Sequence, residues 1–289
     1  MIVPAQIPNP YVKPKWQASV GIMESVVAYN CRKYGFPRPV GAWPTWEGAG
    51  NRALDLSGYG NNGTLVGQPE WVADGLDFNG SSDYIGCGND PTLDVTTGSI
   101  SIVAHLKASY SSTETVFSKT NDLANPSSPG YSLYLRTGDP YVRMTAQDGS
   151  NYAHQASSPT DIRDGKIHSI VGMWNGSTKS VSSYVDGSLE GTTQNNSVGS
   201  LTNTRPFEVG RDYNNGSPQY YFSDNIYTLF VFTTVLSTSQ VKFLSDNPYF
   251  MYRLPEELYG YSPAVIGAIM NQFQKANMGA DLYNGGIIA

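Results

Sequence analysis

Three short stretches set an aromatic ring among polar neighbours in the way that sugar recognition needs. Tyr152 stands beside Asn151 and close to His154; Tyr213 lies among Asp212, Asn214 and Asn215; Tyr220 and Tyr221 follow Gln219. A ring offers an apolar face on which a pyranose can lie, and the neighbouring amides and carboxylates can take its hydroxyls. The same amphipathic rings suit subunit contacts, where tyrosine is enriched, and composition leaves both uses open. Other chemistry is harder to find. The histidines are His105, His154 and His168, and none has a cysteine or carboxylate at a recognised metal-ligand spacing. His168 reads as a structural hydrogen-bonding group near the start of a strand. No serine sits in a nucleophile-elbow pattern.

Composition says what must carry these residues. Charged residues are 15% of the chain and aromatics 12%, with 20 Tyr, 30 Gly and 18 Pro, a mixture suited to many short strands joined by turns. A formal net charge of -6, with no basic cluster beyond the Lys13/Lys15 and Arg32/Lys33 pairs, argues against nucleic acid as a partner. No apolar run is long enough for a membrane span. Pro4, Pro8, Pro10 and Pro14 break the N-terminal stretch, so it lacks the apolar core of a signal peptide. Cys31 and Cys87 fall in different units and are expected as reduced thiols. Asn-X-Ser/Thr matches begin at Asn62, Asn79, Asn175, Asn195 and Asn215; most are Asn-Gly, which turns explain better than glycans do.

The chain divides into three expected units: an arm over 1–40, a β domain over 41–247 and a tail over 248–289. In the arm, Val20, Met23 and Val27 share a helical face over Ser19 to Tyr34, and Gly35, Pro37 and Pro39 stop the helix. Strand candidates fill the middle unit, the clearest being Ile100 to Leu106, with Ile100, Ile102, Ala104 and Leu106 on one face. Residues 161–187 read as a hairpin. Its first strand runs from Ile167 to Trp174 with Ile170, Gly172 and Trp174 on one face, a turn follows at Asn175-Gly176-Ser177, and Val181 to Val185 return to Asp186-Gly187. Ile226 to Phe232 is apolar on both faces, as a central strand covered on each side requires. Ser237 and Gln240 fit a capping box. In the tail, Ser262-Pro263 predicts a helix start, with Val265, Ile266, Ile269, Met270 and Phe273 as its apolar stripe.

Four landmarks in order then resemble the laminin-G-like, concanavalin A-like lectin/glucanase superfamily. They are Asp55-x-Ser57-Gly58-x-Gly60-Asn61-x-Gly63-Thr64, the stretch Leu76 to Ile85 (LDFNGSSDYI), the hairpin with Asp164-Gly165, His168 and Tyr184-Val185-Asp186-Gly187, and Phe222 to Leu244. The resemblance implies an all-β jelly-roll sandwich of two antiparallel sheets. It also implies a search for calcium and for catalytic carboxylates. By landmark, Asp55 and Asp224 are the residues nominated for a calcium ion, which wants oxygen ligands; the competing reading makes Asp55 the cap of the Ser57-Gly58 turn and puts Asp224 in a solvated turn. The Glu-x-Asp-x-x-Glu run of the hydrolase branch is absent from the sequence, and Glu256-Glu257 would point apart on an extended chain, so a non-enzyme is expected. The order of Pro-rich start, short helix and sandwich resembles tailed-phage virion proteins. That implies a structural protein assembled in the host cytoplasm and carried on the virion, on capsid or tail. Its partners would be other virion proteins held through 1–40 and 249–289 and further copies of itself, with host glycans as a ligand class. A bacterial carbohydrate-binding module is the alternative, and a glycoside hydrolase the third reading.

Overall fold

Strand periodicity decides the architecture. The computed structural model describes residues 20–73, 75–109, 112–120, 128–136, 139–154, 160–214, 216–255 and 264–270. Numbered in chain order, the strands of sheet A run spatially as β14 (Ser188–Gln194), β13 (Ser180–Val185), β12 (Ile167–Asn175), β7 (Ile100–Lys107), β18 (Ser223–Phe232), β5 (Gly75–Asn79) and β4 (Glu70–Val72), and β1 (Gly41–Trp43) also pairs with β18. Sheet B runs as β11 (Tyr152–His154), β10 (Asp139–Gln147), β9 (Gly130–Arg136), β8 (Glu114–Lys119), β15 (Glu208–Val209), β6 (Tyr84–Gly86), β3 (Gly63–Val66) and β2 (Arg52–Ala53). A separate hairpin joins β16 (Asp212–Asn214) to β17 (Ser217–Gln219). Every pairing is antiparallel, and the two sheets face each other as the expected sandwich.

Inward residues of both sheets form one core. Ile100, Ile102, Ala104, Leu106, Ile170 and Trp174 of sheet A meet Ile85, Phe117, Leu133, Leu135, Met144 and Val209 of sheet B. Gly172 keeps the spacing between them: a Cβ there would lie 2.8 Å from both Leu133 Cδ1 and Met144 Sδ. A bulge between Thr115 and Phe117 turns both Val116 and Phe117 inward.

The outer face of sheet A is apolar too, and this chain covers it. Val103, Val171, Met173, Phe230 and Phe232 are buried beneath α1 (Val20–Lys33), α2 (Thr238–Asp246) and a 3-10 turn at Phe250–Tyr252. Met23, Val27 and Cys31 supply the buried stripe of α1. The amide of Asn30 donates to the carbonyls of Phe250, Met251 and Arg253 at 3.1, 3.1 and 2.8 Å. Thus α1, part of the arm expected to hold other virion proteins, spends its apolar face within the chain. Val26 joins Leu254, Ile266 and Met270, the last two on a helical stretch over 264–270. Ser262, Pro263, Phe273 and Glu256-Glu257 lie outside the described residues, as do residues 1–19 and 271–289.

The hairpin turns divide into two kinds. Asp186 (φ 48°) and Gly187 (φ 82°) form the two-residue left-handed turn that Asp-Gly favours. The earlier turn differs from expectation. Asn175 ends its strand, Gly176 is not left-handed, and the positive φ falls on Lys179 (54°). Gly176 is needed for close approach, because a Cβ would stand 2.2 Å from the Gly98 carbonyl oxygen. On α2 both bonds of the Ser237–Gln240 capping box are present. Both cysteines are buried and free; burial pushes the Cys31 thiol up to about 12. The asparagine side chains at 79, 175 and 195 cap turns by accepting backbone N–H groups, as from Ser81, Ser177 and Ser197.

Candidate functional site

The outer face of sheet B contrasts with that of sheet A. Because Leu133 and Leu135 point inward, Ser132 and Tyr134 point outward; Thr115, Ser118, Thr145 and Glu208 share that side. Cross-strand register sets Thr145, Ser132, Ser118 and Glu208 in one row. The row and Thr115 are buried, yet among the described residues the hydroxyls of Thr115, Ser132 and Thr145 have no hydrogen-bond partner. Buried hydroxyls are normally satisfied, so this face holds hydrogen-bonding capacity that the described residues do not use.

A stack of rings and guanidinium groups borders this row. Arg211 lies 3.4 Å from the centroid of the Tyr84 ring, and its fork grips Glu208 through Nη2–Oε1 at 2.7 Å and Nε–Oε2 at 3.0 Å. The same guanidinium donates to the Tyr213 hydroxyl at 2.9 Å. On Tyr213 a second guanidinium, that of Arg205, sits 4.6 Å from the ring centroid. Burial, with Glu208 adding to it, holds the Tyr213 phenol above its usual range. The β16–β17 hairpin that carries Tyr213 rejoins sheet B at Tyr220, whose carbonyl accepts the Thr115 N–H at 2.8 Å. Tyr220 is left-handed there, at φ 56°, a conformation that non-glycine residues adopt only where surroundings enforce it.

The structure therefore brings Tyr213 and Tyr220 together on one hairpin. Tyr152 points to the same outer side, since its neighbour Ala153 belongs to the core, but it lies on the edge strand β11. Three strand spacings separate β11 from β8, roughly 14 Å. Tyr152 is exposed, and its carbonyl accepts from the Asn195 amide at 2.7 Å. Tyr84, Arg205, Glu208 and Arg211 were not singled out from the sequence. The period-two signal in β8, β9 and β10 places the hydroxyls opposite the core. Nothing local announces the arginines, whose partners are set by the hairpin's fold.

The calcium candidates do not converge on a cation site. Both carboxylate oxygens of Asp55 carry two donors each: the N–H groups of Ala42 and Ser57 on Oδ1 at 2.9 Å, the Asn61 N–H and Ser57 hydroxyl on Oδ2 at 2.8 and 2.7 Å. A carboxylate so filled has little left for an ion. It is the turn cap of the first landmark, with Gly58 and Gly60 left-handed around it. Asp224 opens β18 at φ 73°, rather than lying in a solvated turn, and faces Ser109 Oγ at 2.5 Å and Lys107 Nζ at 3.6 Å. Among the described residues no group of three or more His, Cys, Asp or Glu could hold a metal ion. These residues do not fit calcium. His168 has the structural role expected of it, with Nδ1 2.8 Å from Asp186 and Nε2 3.1 Å from Asp164; its hydrogen bond to Asp186, then that to Asp164, raise its pKa.

Comparison with known proteins now decides the family. A profile described as the concanavalin A-like lectin/glucanases superfamily, laminin-G type, matches residues 79–242, more than half of the chain. The chain belongs to that superfamily. Similar solved structures include the binding domain of Paraclostridial Mosquitocidal Protein 1, at 13% identity and TM-score 0.55, covering 73% of this chain and 52% of that one. The botulinum neurotoxin serotype D binding domain is similar at 12% identity and TM-score 0.54, covering 72% and 51%. The chain thus spans about half the length of those two structures. The Ruminococcus gnavus IT-sialidase CBM40 bound to alpha2,3 sialyllactose aligns at 15% identity and TM-score 0.45, over 63% and 98%. At these identities the likeness is one of fold. No curated protein matches the chain. The fold is lectin-like, and no helix among the described residues is long and apolar enough to cross a membrane.

Proposed function

We propose that this lectin-like sandwich is a non-enzymatic glycan-binding protein whose ligand lies along the outer face of sheet B. The observation that carries the reading is the difference between the two outer faces. Sheet A is closed by apolar helices of the same chain. On sheet B, hydroxyls that have no partner among the described residues lie buried beside a border of tyrosine rings and guanidinium groups. Rings for stacking and donors for sugar hydroxyls are the chemistry of a carbohydrate subsite. A panel of immobilised glycans tests it. The whole chain should retain at least one class, and Tyr152→Ala should weaken capture about tenfold, the loss of one stacking contact of about 1.4 kcal/mol. A blank panel would sink the reading. Incubation with polysaccharides should release no reducing sugar.

The finer reading places this protein on a phage virion, as a homo-oligomer or bound to a major capsid or tail protein. The order of arm, helix and sandwich supports it. Because α1 and residues 249–254 serve the fold, the attachment segments are assigned to residues 1–19 and 271–289. Chains lacking either segment should fold and yet fail to enter particles. Normal incorporation of both truncations would remove the virion role and leave a free-standing binding module.

A further inference from the structure

We infer that Arg205 is an anion-binding residue of the sheet B face, and that the glycan it takes carries a sugar carboxylate. This rests on the glycan-binding reading above. Three other cations of the sandwich have partners. Arg211 is held by both oxygens of Glu208, Lys119 by Asp94 at 2.8 Å and Asn89 at 2.6 Å, and Lys107 by Asp224. Arg205 uses its backbone alone: its N–H donates to Asn203 Oδ1 at 2.8 Å and its carbonyl accepts from Lys119 Nζ at 2.9 Å. Its guanidinium meets the Tyr213 ring, and among the described residues no carboxylate or carbonyl accepts from it.

That combination differs from an ordinary surface arginine. Arg52, on the edge strand β2, is exposed. Arg205 is half-buried, with one face of its guanidinium against Tyr213. The ring limits where the fork can point, so less freedom remains to be lost when it pairs. Glu208, three residues on, is already spent on Arg211, and Asp212 turns Oδ1 to the Tyr213 N–H at 2.7 Å. A planar fork with unspent donors fits a carboxylate through two parallel hydrogen bonds. Charge sharpens the point. A chain of net charge -6 repels acids at long range, so a preference for an acidic glycan requires a local cation of this kind.

Titration calorimetry on the whole chain tests the assignment with two matched pairs: sialyllactose against lactose, and tri-galacturonate against its methyl ester. At least one acidic member should bind about tenfold or more tighter than its neutral partner. Arg205→Gln should abolish that preference, cutting acidic binding by about tenfold or more while neutral binding falls by less. Arg205→Lys, which keeps the charge but loses the fork, should restore part of it. Equal affinity for acid and neutral partners, or a preference that survives Arg205→Gln, overturns the role of Arg205 and leaves glycan binding standing. Binding of no glycan at all, acidic or neutral, overturns both.

Discussion

Glu114 shows how one side chain makes this sandwich sensitive to pH. It ends the inward run of β8, fully buried, and Oε1 accepts the N–H of Ser223 at 3.1 Å, so it ties sheet B to β18 of sheet A. Oε2 has no partner. Burial raises the pKa from 4.5 to about 7, and the two bonds from Ser223 offset only part of that rise. The sign follows from linkage. A carboxyl whose folded pKa lies above its unfolded value favours the fold when protonated, so its contribution is complete below the unfolded pKa and fades as pH rises through about 7. Glu114→Gln keeps an acceptor for Ser223 and cannot ionise. It should match the parent near pH 5 and exceed it by about 1–3 kcal/mol near pH 8. Denaturant melts at the two values check this, and a constant difference between the proteins at both would refute it.

At the scale of elements, the turn before β13 carries a specific expectation. Gly176 is fixed by the backbone of residues 97–98, which cannot yield as a side chain end could. Gly176→Ala should therefore cost about 1–3 kcal/mol, whereas Gly165→Ala should act through backbone strain alone, its φ being 74° with open space around the Cβ position. Equal small losses at both sites would overturn the distinction. The pair also shows what sequence could tell. Asn175-Gly176 carries a strong turn signal, and a turn does form, but the glycine's reason lies in a segment remote in sequence. Long strands with clear alternation, β7 and β12 among them, were legible, as were α1 and the capping box of α2. Two- and three-residue strands such as β2, β11 and β16 were not resolved as such, because so short a run shows no period and only its neighbours in the sheet make it a strand. The candidate site divides likewise: Tyr152, Tyr213 and Tyr220 could be nominated from local composition, whereas Arg205 and Arg211 acquire meaning only when the hairpin sets them against Tyr213 and Tyr84.

At the scale of the whole molecule, the two outer faces differ in character, and the segments flanking the sandwich close one of them. Asn30 is the hinge pin of that closure, since one amide group on α1 meets three carbonyls between Phe250 and Arg253. An amide nitrogen has two hydrogens, so the three bonds share them. Asn30→Ala would leave buried acceptors without their donor and should cost about 1–3 kcal/mol. The loss should be local in its effects. Hydrogen exchange should quicken in α1 and around residues 249–254, where Phe250 and Tyr252 pack on Phe36 and Phe230, and stay unchanged in β8, β9 and β10. The glycan capture proposed for the face of sheet B should be retained, because among the described residues the contacts of Tyr213, Arg205 and Arg211 do not include α1. If Asn30→Ala instead abolished capture while the protein stayed folded, the two faces would be coupled through the core, and the ligand surface would have to be sought where the helices meet sheet A.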